Sequence, residues 1–487
     1  MKHAIINKVF LFLLPLWTTV ACTKKFDNLN RDPTRPTDAT PETLITGAEK
    51  SASDVVYNNF VNGRVGMLYA QYWAQTQSEV ASQYLLDESS NNTLWNLYSN
   101  ALTNLDGIVQ LRNANPAAVS ANEAAIANVL SVWIYQILTD SYGNIPYSQA
   151  LKGLDNFTSF YDDAATIYDS LLFRLDAQLA TFDSAGANFS SGEKIYNGDV
   201  AKWRRLANSL KLRIGIRMAD AMPEKAKSAI VSAIAGGVIT SNDDNALFPY
   251  LAAVPDQFPF NEQSGTGLPN DYVMSATLVD FMDSLADPRL PIYARPTTLD
   301  SVIRGKVYGL GSFSNDFTFY SYPGVRPYSP TFPGIIMLKS EVDFALAEAA
   351  ARGFIASEGA AVHYEDGIRS SMNFWGVTDT TIINAYIASV PYVQTEWKNC
   401  IGTQKWLALY MQGLQSWFER TRLKFTKPGG EPLFVKPGNI LDPSVTEGVP
   451  YRLTYPITEG TINSDNYNTA GQAIGGNTKG TKLWWNK

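Results

Sequence analysis

Cysteine and histidine are almost missing from this chain: its 487 residues hold two of each. With only Cys22 and Cys400 there is no disulfide framework, so the fold must rest on apolar burial. His3 falls in the leader-like first stretch, which leaves His363 as the one remaining imidazole. No cluster with zinc-ligand spacing can be drawn, and no Cys–His or Ser–His–Asp arrangement offers a nucleophile. His363 reads as a surface or packing residue. Basic side chains are outnumbered, 39 Lys and Arg against 46 Asp and Glu, and that balance argues against wrapping nucleic acid. A Gly-x-x-x-x-Gly-Lys phosphate loop is absent; Gly236-Gly237, Gly429-Gly430 and Gly475-Gly476 read as turns. Alternating strand patterns are scarce.

What is present is a large supply of core. Hydrophobic residues make up 45% of the chain and aromatics 12%, which excludes global disorder. Lys2, His3 and Lys8 precede the apolar run VFLFLLPLW (9–17), too short to span a bilayer. Thr19-Val20-Ala21-Cys22 follows, a small residue before a cysteine. Residues 1–21 thus read as a lipoprotein signal peptide, Cys22 as the lipidated N-terminal residue, and 22–38 as a polar tether. Cys400 reads as a small core residue.

Helical spacing dominates the rest. Ile126, Val129, Leu130, Trp133 and Ile137 form one stripe, and that helix breaks at Asp140, Ser141, Gly143, Asn144 and Pro146. Thr40 and Pro41 mark an earlier start, as N-cap and first helical residue. Further helices are predicted over 65–76, 94–108, 160–182, 341–352 with Ser340 as cap, 364–375 ending at Gly376, and 401–417. Asp199 caps another whose charges, Lys202, Arg204, Arg205, Lys211, Arg213 and Arg217, read as ion pairs to neighbouring helices or a solvated face rather than a polyanion site. Asp162-Asp163 reads as a helix start and Asp243-Asp244 as loop. Between 248 and 333 prolines and aromatics replace periodicity, with only 272–284 helical. The class is all-α: tetratricopeptide-like helical hairpins with a loop-rich insertion, one domain over 39–487.

Several stretches carry a resemblance. DSYGNIPYSQAL (140–151), the WRRLANSLKLR segment within 199–217, Asp287-Pro288-Arg289, SEVDFALAEAAARGF (340–354), YEDGIRSSMNFWGV (364–377) and Gln404-Lys405-Trp406 occur in this order. With FDNLNRDP (26–33), they resemble the blocks of the SusD/RagB family of outer-membrane nutrient-binding lipoproteins. The resemblance implies a cell-surface protein, lipid-anchored in the outer membrane, that captures an oligosaccharide or oligopeptide. It also implies delivery to a SusC-like TonB-dependent transporter; no catalytic residue, metal ligand or cofactor is assigned. The alternatives are a helical glycoside hydrolase and a non-binding structural surface lipoprotein.

By that resemblance recognition lies in loops, where tyrosine offers a flat apolar face and a polar tip. Tyr320, Tyr322, Arg326 and Tyr328 are the first candidates for ligand contact. Trp73, Tyr84, Phe258 and Phe260 are the second.

Overall fold

The computed structural model describes residues 39–76, 80–153, 156–261, 271–310, 318–356 and 359–487. The signal segment, Cys22 and the tether to 38 lie outside them, as do Phe313 and Phe317. Helix α1 (Pro41–Tyr57) begins as expected, with Thr40 Oγ1 accepting from the Thr43 N–H at 3.3 Å. It is followed by α2 (Glu88–Trp95), α3 (Thr103–Ala114), α4 (Ala121–Tyr142), α5 (Ala164–Thr181), α6 (Val200–Arg217) and α7 (Pro223–Gly236). From α3 to α7 each helix packs on the next in sequence. These are the helical hairpins that the spacing implies.

After α8 (Ala276–Ser284) and the short α9 (Leu290–Tyr293), the second half repeats the plan. Helices α10 (Lys339–Ala351) and α11 (Ala360–Trp375) pair, α12 (Thr380–Ser389) leans on α11, and α13 (Trp397–Ala408) packs on both α10 and α11. Then come α14 (Gly413–Leu423), α15 (Ile457–Ile462) and α16 (Ser464–Ala473). Helix α10 also packs on α6, joining the halves.

Helix α4 is the axis. Ser120 and Glu123 close a capping box, satisfying otherwise orphaned N–H groups. Trp133 is buried as its stripe requires, but so are Val132, Ile134, Tyr135 and Leu138. The helix is covered nearly all round because α3, α5, α6 and α1 all touch it. Its C-terminus turns at Gly143 with φ 86°, and Tyr147 and Ser148 donate their N–H groups to Asp162 at 2.9 Å. Asp163 caps α5.

Four of the six basic residues of α6 form ion pairs, while Lys202 and Arg204 donate to the Asp243 and Phe182 carbonyls. Arg205 meets Asp244 at 3.0 Å, Arg213 meets Glu341 at 2.6 Å and Arg217 meets Glu419 at 3.1 Å, while Lys211 bonds Asp176. These bonds tie α6 to its neighbours, and none of those four cations is left to gather a polyanion. Cys400 is buried in a satellite core with Phe344, Tyr364 and Ile368, and His363 is half-buried.

Several predicted helices differ. The run 94–108 spans the end of α2, a π-helical segment Tyr98–Leu102 and the start of α3. Residues 65–76 are not one helix: a π-helical segment, Asn59–Met67, gives way to a turn and then strand β1 (Trp73–Gln75). Gln71 sits at φ 55°, and the chain beyond it pairs with a strand instead of continuing the helix. The run 401–417 is two helices, α13 and α14, split where Met411 takes φ 72°. Asn62 holds that break, accepting from the Gly413 N–H at 3.1 Å and donating to the Met411 carbonyl at 3.2 Å. Ser340 lies inside the first turn of α10 and not at its cap. Asn245 supplies the capping oxygen, accepting from the Lys339 N–H at 2.7 Å.

Strands are few and placed to serve the insertion. Strand β2 (Ala246–Phe248) pairs antiparallel with β4 (Gly334–Met337), Phe248 opposite Gly334. The insertion therefore leaves and re-enters the scaffold through a two-strand clasp. Strand β3 (Tyr272–Met274) pairs antiparallel with β1, Trp73 opposite Met274, so 272–274 are extended and the helix predicted there starts only at Ala276.

Candidate functional site

The β1–β3 ribbon fastens the insertion to the π-helical segment, and a cleft of about 570 Å³ opens beside it. It is lined by Arg64, Gln75, Val80, Ala81, Leu85, Leu86, Asp87, Asp271 and Tyr272. Gln75 shapes the loop wall: its Oε1 accepts from the Ser82 N–H at 2.9 Å and the Ser82 hydroxyl at 2.7 Å. Lys306 donates to the Gln75 carbonyl at 2.8 Å from the insertion side. Val80 and Leu85, 41% and 48% exposed, supply apolar walls.

The polar groups converge on one cation. Arg64 pairs with Asp87 at 2.6 Å, while Asp87 also caps α2 through the Ser90 N–H at 3.2 Å. Burial pushes the Asp271 carboxyl above its ordinary value, and Arg64 opposes that rise. Tyr272 donates to Asn59 Oδ1 at 2.6 Å, which fixes its ring. A guanidinium paired with one carboxylate, a second carboxylate in the same lining and aliphatic walls beside them suit a neutral ligand rich in hydroxyl groups, which can both donate and accept. Among the described residues no group of three or more His, Cys, Asp or Glu side chains could hold a metal ion.

The residues singled out in the sequence divide between core and surface. Trp73, Phe260 and Tyr328 pack with Tyr272 beneath the cleft, ring centroids 5.1–5.9 Å apart. Phe258 packs on Tyr57 and Phe332. Tyr84 turns the other way, against Tyr69, and donates to the Gly448 carbonyl at 2.7 Å. All five of these rings are 2% exposed or less, so each is a packing residue that presents no open face to a ligand. This corrects the expectation for them: aromatic side chains in an irregular insertion bury themselves to give it a core of its own.

Tyr320, Tyr322 and Arg326 keep part of their surface. Ser321 accepts from the Met274 N–H at 2.8 Å, so residues 320–322 run alongside β3. The Arg295 guanidinium lies 5.6 Å from the Tyr322 ring, and Arg326 lies 5.0 Å from Phe374 and 5.2 Å from Trp375. Burial lowers the Arg326 pKa from its ordinary value. Sequence reasoning missed Arg64, Asp87 and Asp271. One signal was available: Arg64 is the only charge between Asp54 and Glu79.

Helical hairpins carrying a clasped, loop-rich insertion that walls a cleft define a tetratricopeptide-like protein with a surface binding cleft. The profile of the SusD-like family described as "Starch-binding associating with outer membrane" matches residues 33–456; the chain belongs to that family. Among solved structures it is similar to a chitin-binding protein, at 28% identity and TM-score 0.80, covering 92% of this chain and 100% of that one. A SusD homologue from Bacteroides thetaiotaomicron VPI-5482 gives 26% identity and TM-score 0.79, covering 92% and 99%. A chitin-binding SusD homologue from Flavobacterium johnsoniae, 24% identical, shares the fold at TM-score 0.79 over 91% and 98%. No curated protein matches.

Proposed function

We propose that this chain is a cell-surface lipoprotein that captures a glycan oligomer and passes it to a SusC-like TonB-dependent outer-membrane transporter. The observation that carries the reading is the cleft: Arg64 paired with Asp87, Asp271 in the same lining, walls from Val80 and Leu85, and an opening beside the insertion. Family membership supports the glycan as ligand class, and so does the chitin-binding relative at 28% identity. Tyr320 and Tyr322, part-exposed beside β3 though outside the lining of the cleft, are the positions proposed to stack on a sugar ring, with Arg326 as a further contact. Cys22 carries the lipid that holds the protein at the membrane. Among the described residues no helix is long and apolar enough to cross a membrane.

The test is an array of starch-derived and chitin-derived oligosaccharides and of oligopeptides, probed with the detergent-solubilised lipoprotein. Calorimetry then follows on the best ligand. Arg64→Ala and the double variant Tyr320→Ala, Tyr322→Ala should each weaken glycan binding at least about tenfold, which is about 1.4 kcal/mol, with unfolding midpoints unchanged. Binding of peptides alone would replace the glycan as ligand, and turnover of the bound glycan would replace capture by hydrolysis.

A further inference from the structure

A second cavity, about 450 Å³, lies between α14 and the segments 434–436 and 446–451. It shares no lining residue with the cleft. Arg420 stands in its wall, 7% exposed. The guanidinium lies 4.2 Å from the centre of the Phe434 ring, and one of its N–H groups donates to the Tyr69 carbonyl. The hydroxyls of Tyr84 and Tyr308 flank it. One carbonyl and two neutral phenols face five N–H donors, and no carboxylate of the described residues pairs with the charge.

That is unusual inside this protein. Arg213, Arg217, Arg289 and Arg422 are also buried, and each meets a carboxylate at 3.1 Å or less. Arg452 lacks a carboxylate too, but it donates to the Tyr142 carbonyl and to Asn477 and lines none of the cavities described above. A buried guanidinium without an anion is costly, and here the cost falls at the wall of a cavity large enough for a small molecule.

Two of the three other charged residues in the lining have the same sign. Lys424 donates to the Lys487 main-chain oxygen at 2.9 Å, and Lys436 is exposed with no ion pair among the described residues. Glu447 is the one acid in the lining, and both its oxygens are engaged, by Lys482 at 2.8 Å and by the Tyr451 hydroxyl. Three cations thus face a cavity in a chain whose net charge is −7.

We propose that this cavity is a binding site for a single oxyanion, the carboxylate or sulfate of a small acidic ligand. Arg420 takes the anion at the wall, and Lys424 and Lys436 hold it from the mouth. Guanidinium geometry favours two parallel N–H···O bonds to such a group. The assignment stands independently of the glycan cleft, because it uses none of the cleft's residues.

Titration calorimetry on the detergent-solubilised chain at constant ionic strength tests it, with glucuronate, glucose and sodium sulfate as probes. Saturable binding of glucuronate or sulfate, with none of glucose, is expected. The double variant Lys424→Gln, Lys436→Gln, both exposed, should weaken it at least about tenfold. Arg420→Gln should abolish it; if that variant does not fold, the lysine variant decides alone. Sulfate competing with glucuronate marks a general oxyanion site, while glucuronate binding with sulfate silent marks an acidic sugar. No binding of either anion, equal binding of glucose, or unaltered affinity in the lysine variant overturns the proposal.

Discussion

Asp140 and Glu419 lie against the same guanidinium, Arg217, and titrate in opposite directions. Burial raises the Asp140 carboxyl from 3.8 to about 6, and Arg217 at 3.4 Å only partly opposes it. Burial also pushes Glu419 upward, yet it ends well below its ordinary value, because Arg422 at 2.6 Å, Lys405 at 3.2 Å and Arg217 at 3.1 Å outweigh the lost solvation. The raised pKa of Asp140 means that its contribution to stability is fullest below pH 3.8 and is lost as pH rises to about 6. Asp140→Asn keeps an acceptor for Tyr168 and Trp485 and removes that titration. Relative to the unmutated chain, this variant should gain up to roughly 3 kcal/mol between pH 4 and pH 7, on top of a pH-independent offset from the altered contact with Arg217. Urea unfolding at the two pH values measures it, and a flat difference would contradict a burial-driven shift. Glu419→Gln should behave in the reverse sense: its loss is full above the ordinary carboxylate value of 4.5 and shrinks as pH falls below it.

At the scale of elements, the contact between the π-helical segment and α14 decides most. A Cβ on Gly66 would stand 2.7 Å from the Gly413 carbonyl carbon, and one on Gly413 would stand 2.4 Å from that of Gly66. Two backbones therefore touch, and only glycine fits. This crossing fixes the direction of the segment that carries Arg64 into the cleft. Gly413→Ala should cost about 1–3 kcal/mol by overpacking and should weaken ligand binding as well, since it displaces Arg64. Chemical denaturation and calorimetry read the two effects, and a variant matching the parent in both would show that the crossing is not tight. The elements themselves were largely legible. Thr40 and Asp199 cap the helices they were expected to cap, and Asp163 caps one whose start Asp162-Asp163 marked, because an N-cap needs only a short polar side chain before an apolar stripe. Helix interruptions were not legible. The break at Met411 depends on Asn62, which is distant in sequence, and the cap of α10 comes from Asn245.

At the scale of the whole molecule, the proposed function has Cys22 carry the attachment to the membrane. Cys22→Ser should move the protein from the detergent-extracted membrane fraction to the aqueous one, because acyl chains then no longer anchor it; retention in the membrane fraction would mean another attachment. The sequence by itself determined the class of this protein. Apolar stripes at helical spacing, caps at their starts and family blocks in a fixed order are all local signals, and the helical hairpins follow from them. It also pointed to ion pairing for the cations of α6, which four of the six make, since an acidic chain has carboxylates to spare. Only the tertiary structure decided which aromatic rings of the insertion are walls and which are core. Without a period of 2 or 3.6, a loop gives no sign of which way a side chain faces, so Tyr328 and Phe260 read like Tyr320 and Tyr322 although only the last two keep exposed surface. The cleft itself joins Arg64 and Asp87 to Asp271 through the β1–β3 pairing. Its electrostatics exist only once the chain has closed, because charge pairing depends on distance in space and not along the sequence.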